Sequence, residues 1–122
     1  MEVYDAWTRP AAQGANGAIY FVIHFSADEE LVGVSSDAAE AVEIHESRMN
    51  GDVMEMRPVQ SVPLGAGEDV RFEPGGLHVM LVGLKQDLKT GGEVEITLHF
   101  KNYQDIPLRV LVQDTPPSEH DH

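Results

Sequence analysis

The chain has 122 residues, 42% of them hydrophobic, with 21 acids against 8 Lys and Arg for a formal net charge of −13. A chain of this length fits one domain with one core, and its acidity argues against phosphate backbones and anionic lipid as partners. There is no cysteine, which removes disulfides, thiolate zinc sites, cysteine nucleophiles and the thiolate ligand of a blue-copper centre. No apolar run approaches the ~18 residues of a membrane span, so no membrane insertion is expected. The opening Met1-Glu2-Val3-Tyr4 has neither a basic n-region nor an apolar h-region. That suits either a cytosolic chain or a mature domain carrying an initiator Met.

Along the chain, apolar residues alternate and turn residues recur at short intervals, the pattern of an all-β protein. Ile19, Phe21, Ile23 and Phe25 alternate with Tyr20, Val22 and His24 in a strand expected to be covered on both faces. A second strand runs from Ala41 to Met49, followed by Asn50-Gly51 and a third run from Val53 to Val62. Asn-Gly between two such runs predicts a hairpin, because both residues accept positive φ. Val70 and Phe72 mark another strand, closed by Glu73-Pro74-Gly75-Gly76, before Leu77, Val79 and Leu81 form one apolar face. Beyond Lys89-Thr90-Gly91-Gly92, Val94, Ile96, Leu98 and Phe100 alternate with Glu93, Glu95, Thr97 and His99, and a last strand covers Leu108 to Val112. Ala38 to Ala41 could add a helical turn. About seven short strands are expected, in a Greek-key β-sandwich spanning residues 1–113. Residues 114–122 are expected to form a disordered tail. Nothing calls for an obligate dimer, and a monomer is expected.

The chemistry lies in His and Met residues that fall off the core face. In Leu77-His78-Val79-Met80-Leu81, His78 and Met80 project together from the side opposite the apolar residues, about 7 Å apart on a strand rising ~3.3 Å per residue. If Asn50-Gly51 is a two-residue turn, Met49 pairs with Asp52, Ser47 faces Met54 and His45 lies directly opposite Met56. Imidazole with thioether is a soft donor set that suits Cu(I), whereas Mg and Ca take oxygen and structural zinc takes thiolate. Taken singly, His78 reads as a surface or satisfied histidine and Met80 as edge packing; together, their exposed, solvent-facing phase suits transfer of a metal better than storage. Met54 could substitute for Met56, or fill a gap near the hairpin. Met49 reads as a turn neighbour, and His24 and His99 as structural. His120-Asp121-His122 could capture Cu(II) weakly.

These residues resemble the H-x10-M-x21-H-x-M signature of the PCuAC family of periplasmic copper chaperones. His45 is followed by ten residues and Met56, then by twenty-one residues and His78-Val79-Met80. The flanks are similar too: Val42-Glu43-Ile44-His45, Met54-Glu55-Met56-Arg57-Pro58, Glu73-Pro74-Gly75-Gly76 and Gly83-Leu84-Lys85. Trp7, Arg9 and Pro10 match the family's start and are assigned to packing. The resemblance implies a cupredoxin-like β-sandwich outside the cytoplasm. Its Cu(I) would be held by His45, Met56, His78 and Met80, and donated to the CuA centre of cytochrome c oxidase. His24 and the His-ended tail lie outside the signature.

No nucleophile elbow, H-E-x-x-H or phosphate loop is present, so a binding protein is expected rather than an enzyme. Two alternatives stand beside the carrier. A zinc or other divalent-metal protein or hydrolase would use His24, His45, His78 or His99 with a glutamate. A purely structural sandwich would bind another protein through its edges.

Overall fold

The structure is a computed structural model that describes residues 1–115. The described residues form ten strands: β1 (Glu2–Thr8), β2 (Gly17–His24), β3 (Glu29–Ser35), β4 (Ala39–Asn50), β5 (Val53–Pro58), β6 (Val62–Leu64), β7 (Asp69–Phe72), β8 (Leu77–Leu84), β9 (Glu93–Phe100) and β10 (Ile106–Val112). The expected tail and its His120-Asp121-His122 lie largely or wholly outside the described residues. Hydrogen bonding runs in one continuous ladder, β5-β4-β8-β7-β2-β1-β10-β9-β3-β6, with a further β8–β2 pairing. β1–β10 and β7–β8 are parallel and the other neighbours antiparallel.

One hydrophobic cluster joins Ile44, Val79 and Leu81 from one end of the ladder to Leu31, Ile96 and Leu98 from the other. The sheet therefore folds over on itself as a sandwich, since residues so far apart along a flat sheet could not share one core. Ile19, Phe21 and Ile23 are fully buried at its centre, with the Phe21 and Phe72 rings stacked at 4.4 Å. Val22 is buried as well, so β2 is covered on both faces as its unbroken apolar run predicts.

Several boundaries differ from the expectations. Three of the ten strands, β1, β3 and β6, account for the difference from the expected seven. β1 and β3 are interrupted by Asp5, Glu29, Glu30 and Gly33, which blur the alternation, and the run after the hairpin splits at Val59-Gln60-Ser61 into β5 and the short β6. The helical turn expected at Ala38 to Ala41 is instead the start of β4 at Ala39. β10 begins at Ile106, two residues before the expected Leu108.

The hairpin register also differs. Asn50 pairs with Val53, Met49 with Met54, Ser47 with Met56 and His45 with Pro58. The two loop residues are thus Gly51 and Asp52, and Gly51 alone takes positive φ, at 67°. A glycine at the first central position needs no second left-handed residue, so Asn50 stays in the strand. The shift is by two residues. Because side chains alternate with period 2, every residue keeps its expected face while losing its expected partner.

Candidate metal centre

The site is built on the neighbouring strands β4, β8 and β5. Antiparallel pairing of β4 with β8 sets His45 opposite His78 and Glu43 opposite Met80. All four side chains share the sheet face opposite Ile44, Val79 and Leu81, which are buried in the core. The imidazole centroids are 5.6 Å apart, with the rings tilted by 59°. Met56 does not lie opposite His45, where it was expected. It sits opposite Ser47, diagonally across from His45 and on the same face. Diagonal neighbours lie roughly 7–8 Å apart, within reach of a long thioether side chain.

His78 was expected to be exposed on a solvent-facing side. Its orientation off the core is as expected, but only 4% of its surface is accessible. Met56, by contrast, is 60% exposed. The site therefore grades from a covered imidazole to an open thioether.

Hydrogen bonds fix which nitrogen of each histidine carries a lone pair. Nδ1 of His78 lies 3.2 Å from the Gly76 carbonyl oxygen. A carbonyl only accepts, so Nδ1–H donates and Nε2 is left as a donor to a metal. Nε2 of His45 lies 2.7 Å from Oε1 of Glu43. The carboxylate accepts that proton, leaving the lone pair on His45 Nδ1. This Nδ1 is buried and has no hydrogen-bond partner among the described residues. Burial pushes the His78 imidazole below its ordinary 6.5; the hydrogen bond to the Gly76 carbonyl opposes this less strongly, and the adjacent His45 adds a still smaller lowering. A neutral imidazole is the form that binds metal.

The Gly76 carbonyl also has a second partner. It accepts from the Ser47 amide at 3.0 Å as well as from His78. It belongs to the turn Glu73-Pro74-Gly75-Gly76, closed by Gly76 N–H to Glu73 O at 3.0 Å, with Gly75 at φ 85°. Proline first and a left-handed glycine second are what a type II turn requires. One turn thus orients His78 and anchors β4 at the same atom. Glu43 and this carbonyl are the supporting groups that the residue pattern alone left unassigned. Only Glu43's place on the face of His45 pointed to it.

The other histidines have separate partners. His24 Nδ1 lies 2.8 Å from Asp69, whose carboxyl is held below its usual range by His24 and by the Tyr4 hydroxyl. His99 bridges Ser35 at 2.8 Å and Asp105 at 3.0 Å. Trp7 is buried against Tyr20, with Arg9 5.1 Å above its ring. Among the described residues no group of three or more His, Asp or Glu side chains is placed to hold a metal ion.

The family profile described as "Putative lipoprotein LpqE-like" matches residues 1–112. The chain belongs to the LpqE-like family. Two relatives cover most of this LpqE-like chain. "Putative lipoprotein Lxx21020" of Leifsonia xyli subsp. xyli (strain CTCB07) is 31% identical over 93% of the chain and 70% of its own length. "Uncharacterized protein RP573" of Rickettsia prowazekii (strain Madrid E) is 36% identical over 90% of the chain and 65% of its own length. Among solved structures, the copper-bound PCuAC domain from PmoF2 superposes with a TM-score of 0.76 at 22% identity, over 93% of this chain and 92% of that one. The CuI form of DR1885 from Deinococcus radiodurans gives 0.61 at 26% identity, over 93% and 80%. The fold is the cupredoxin-like β-sandwich of PCuAC domains.

Proposed function

We propose that this chain is an extracytoplasmic metallochaperone that carries Cu(I) on His45, Met56, His78 and Met80 and passes it to the CuA centre of cytochrome c oxidase. The observation that carries this reading is the facing pair His45–His78, with a buried Nδ1 that has no hydrogen-bond partner among the described residues on one ring and a neutral, covered imidazole on the other. Two imidazoles alone would accept many metals. Met80 and Met56 on the same face narrow the choice, because thioethers are soft and uncharged and favour Cu(I) over Zn(II) or Cu(II). The copper named in the neighbours PmoF2 and CuI-DR1885 supports the same choice. The lipoprotein descriptions of the family and of the Leifsonia relative support a place outside the cytoplasm.

Transfer follows from the gradient of exposure. An acceptor's ligand approaches from the open side and replaces Met56 first, while His78 holds the ion from beneath until the exchange is complete. Cu(I) keeps its oxidation state throughout, so one metal–ligand bond forms for each that breaks. The net charge of −13 selects a basic docking face on the acceptor. Mixing the Cu(I)-loaded protein with metal-free CuA domain, then separating the two and measuring copper in each, tests the delivery step. Copper is expected on the acceptor, with a transfer rate that falls as salt is raised. Copper retained on the donor at equilibrium would refute delivery to this acceptor.

A further inference from the structure

The hairpin formed by β4 and β5 extends beyond the core, and every residue of β5 is exposed. Its two faces differ sharply. On one, Arg57 pairs with Glu46 at 3.3 Å, Arg48 lies opposite Glu55, and Asn50 donates to Glu55 at 3.2 Å. This face satisfies itself with charges. The other face carries His45, Ser47 and Met49 opposite Pro58, Met56 and Met54. Met49, Met54 and Met56 are 59%, 51% and 60% exposed. Three thioethers left in water on one face, while the reverse face is polar apart from Val53 beside the turn, are not explained by packing.

Pairing makes the group compact. Met49 and Met54 are direct cross-strand partners, whose Cβ atoms lie about 4.5–5.5 Å apart. Met56 is two positions further along the same face of β5, towards His45. The thioethers thus form a row running from the hairpin tip to the histidine pair.

We infer that Met49 and Met54, joined by Met56 when the inner site does not hold it, form a second, outer Cu(I) site that loads and unloads the His45–His78 site. This rests on the Cu(I) reading of the inner site and adds a separate place for the ion. Thioethers without an imidazole bind Cu(I) more weakly, and an exposed site exchanges faster, as an entry station requires. Met56 belongs to both sets, so its movement from one to the other hands the ion inward without releasing it to water.

The test uses the full chain with 13C-labelled methionine methyl groups, titrated with Cu(I) in the absence of oxygen. The first equivalent is expected to shift Met56 and Met80. The second is expected to shift Met49 and Met54. Met49→Leu/Met54→Leu, which keeps volume and apolar character on an exposed hairpin, should bind the first equivalent unchanged and lose the second. In His45→Ala/His78→Ala, Met49 and Met54 should still respond. Met49 and Met54 methyls unmoved beyond one equivalent, or a second equivalent retained in the leucine variant, would overturn the outer site and leave the inner one intact. Failure of the first equivalent to shift Met56 and Met80 would instead overturn the inner site.

Discussion

His45 and His78 face each other across β4 and β8 with their ring centroids 5.6 Å apart. Their lone pairs are set by different partners, a carboxylate for one and a backbone carbonyl for the other. Each supporting group therefore has its own measurable signature.

Glu43 should control the tautomer of His45. In the wild-type protein, 15N shifts should report the proton on Nε2 and the lone pair on Nδ1. Glu43→Ala should mix the two tautomers and weaken Cu(I) binding by roughly 10-fold, within the 10–100-fold range of groups that orient metal ligands. A pure Nε2–H tautomer in Glu43→Ala would contradict this role.

The turn at Gly75 should matter through backbone geometry alone. A Cβ at Gly75 would meet nothing within 4 Å, yet the residue sits at φ 85°. Gly75→Ala should cost about 1–2 kcal/mol of stability, read from the urea midpoint. It should also disturb the Gly76 carbonyl that orients His78. Wild-type stability in Gly75→Ala would show that the left-handed conformation is dispensable.

His78 should make the metal-free protein sensitive to acid. Burial lowers its pKa in the folded state below the ordinary 6.5. Above that value the imidazole is neutral in both states and titration has no effect on stability. As pH falls below 6.5 the unfolded chain takes up the proton first, so stability is lost progressively down to the folded pKa. Urea midpoints at pH 7 and pH 5 should show a smaller drop in His78→Gln than in the wild type. Equal drops would mean that His78 does not contribute.

Met56 should separate binding from folding. At 60% exposure, Met56→Ala should change stability by no more than ~0.5 kcal/mol while weakening Cu(I) binding. Thermal unfolding of the metal-free variant and a Cu(I) titration on the same sample decide the point. A large loss of stability would make Met56 a packing residue.

Much of this was legible in the residues, for identifiable reasons. Alternation in β8 and β9 marked the core faces, because one covered side imposes a period of 2. The same period kept His45, Met56, His78 and Met80 on one face even though the hairpin register differed by two residues. The pairing itself was not legible. Asn50-Gly51-Asp52 permits either of two loop positions, and only the folded hairpin selects Gly51-Asp52. The direct His45–His78 contact was equally hidden, since β4 and β8 are separated by β5, β6 and β7 in sequence. The depth of His78 was missed because phase tells which face a residue is on, not how much lies over that face.

The most direct test is a Cu(I) titration of the reduced, metal-free protein against a competing chelator, with Met56→Ala/Met80→Ala beside the wild type. One tight equivalent in the wild type, lost in the double variant, is the expected result. No competition by the wild type, or binding unchanged without the two thioethers, would contradict the copper site.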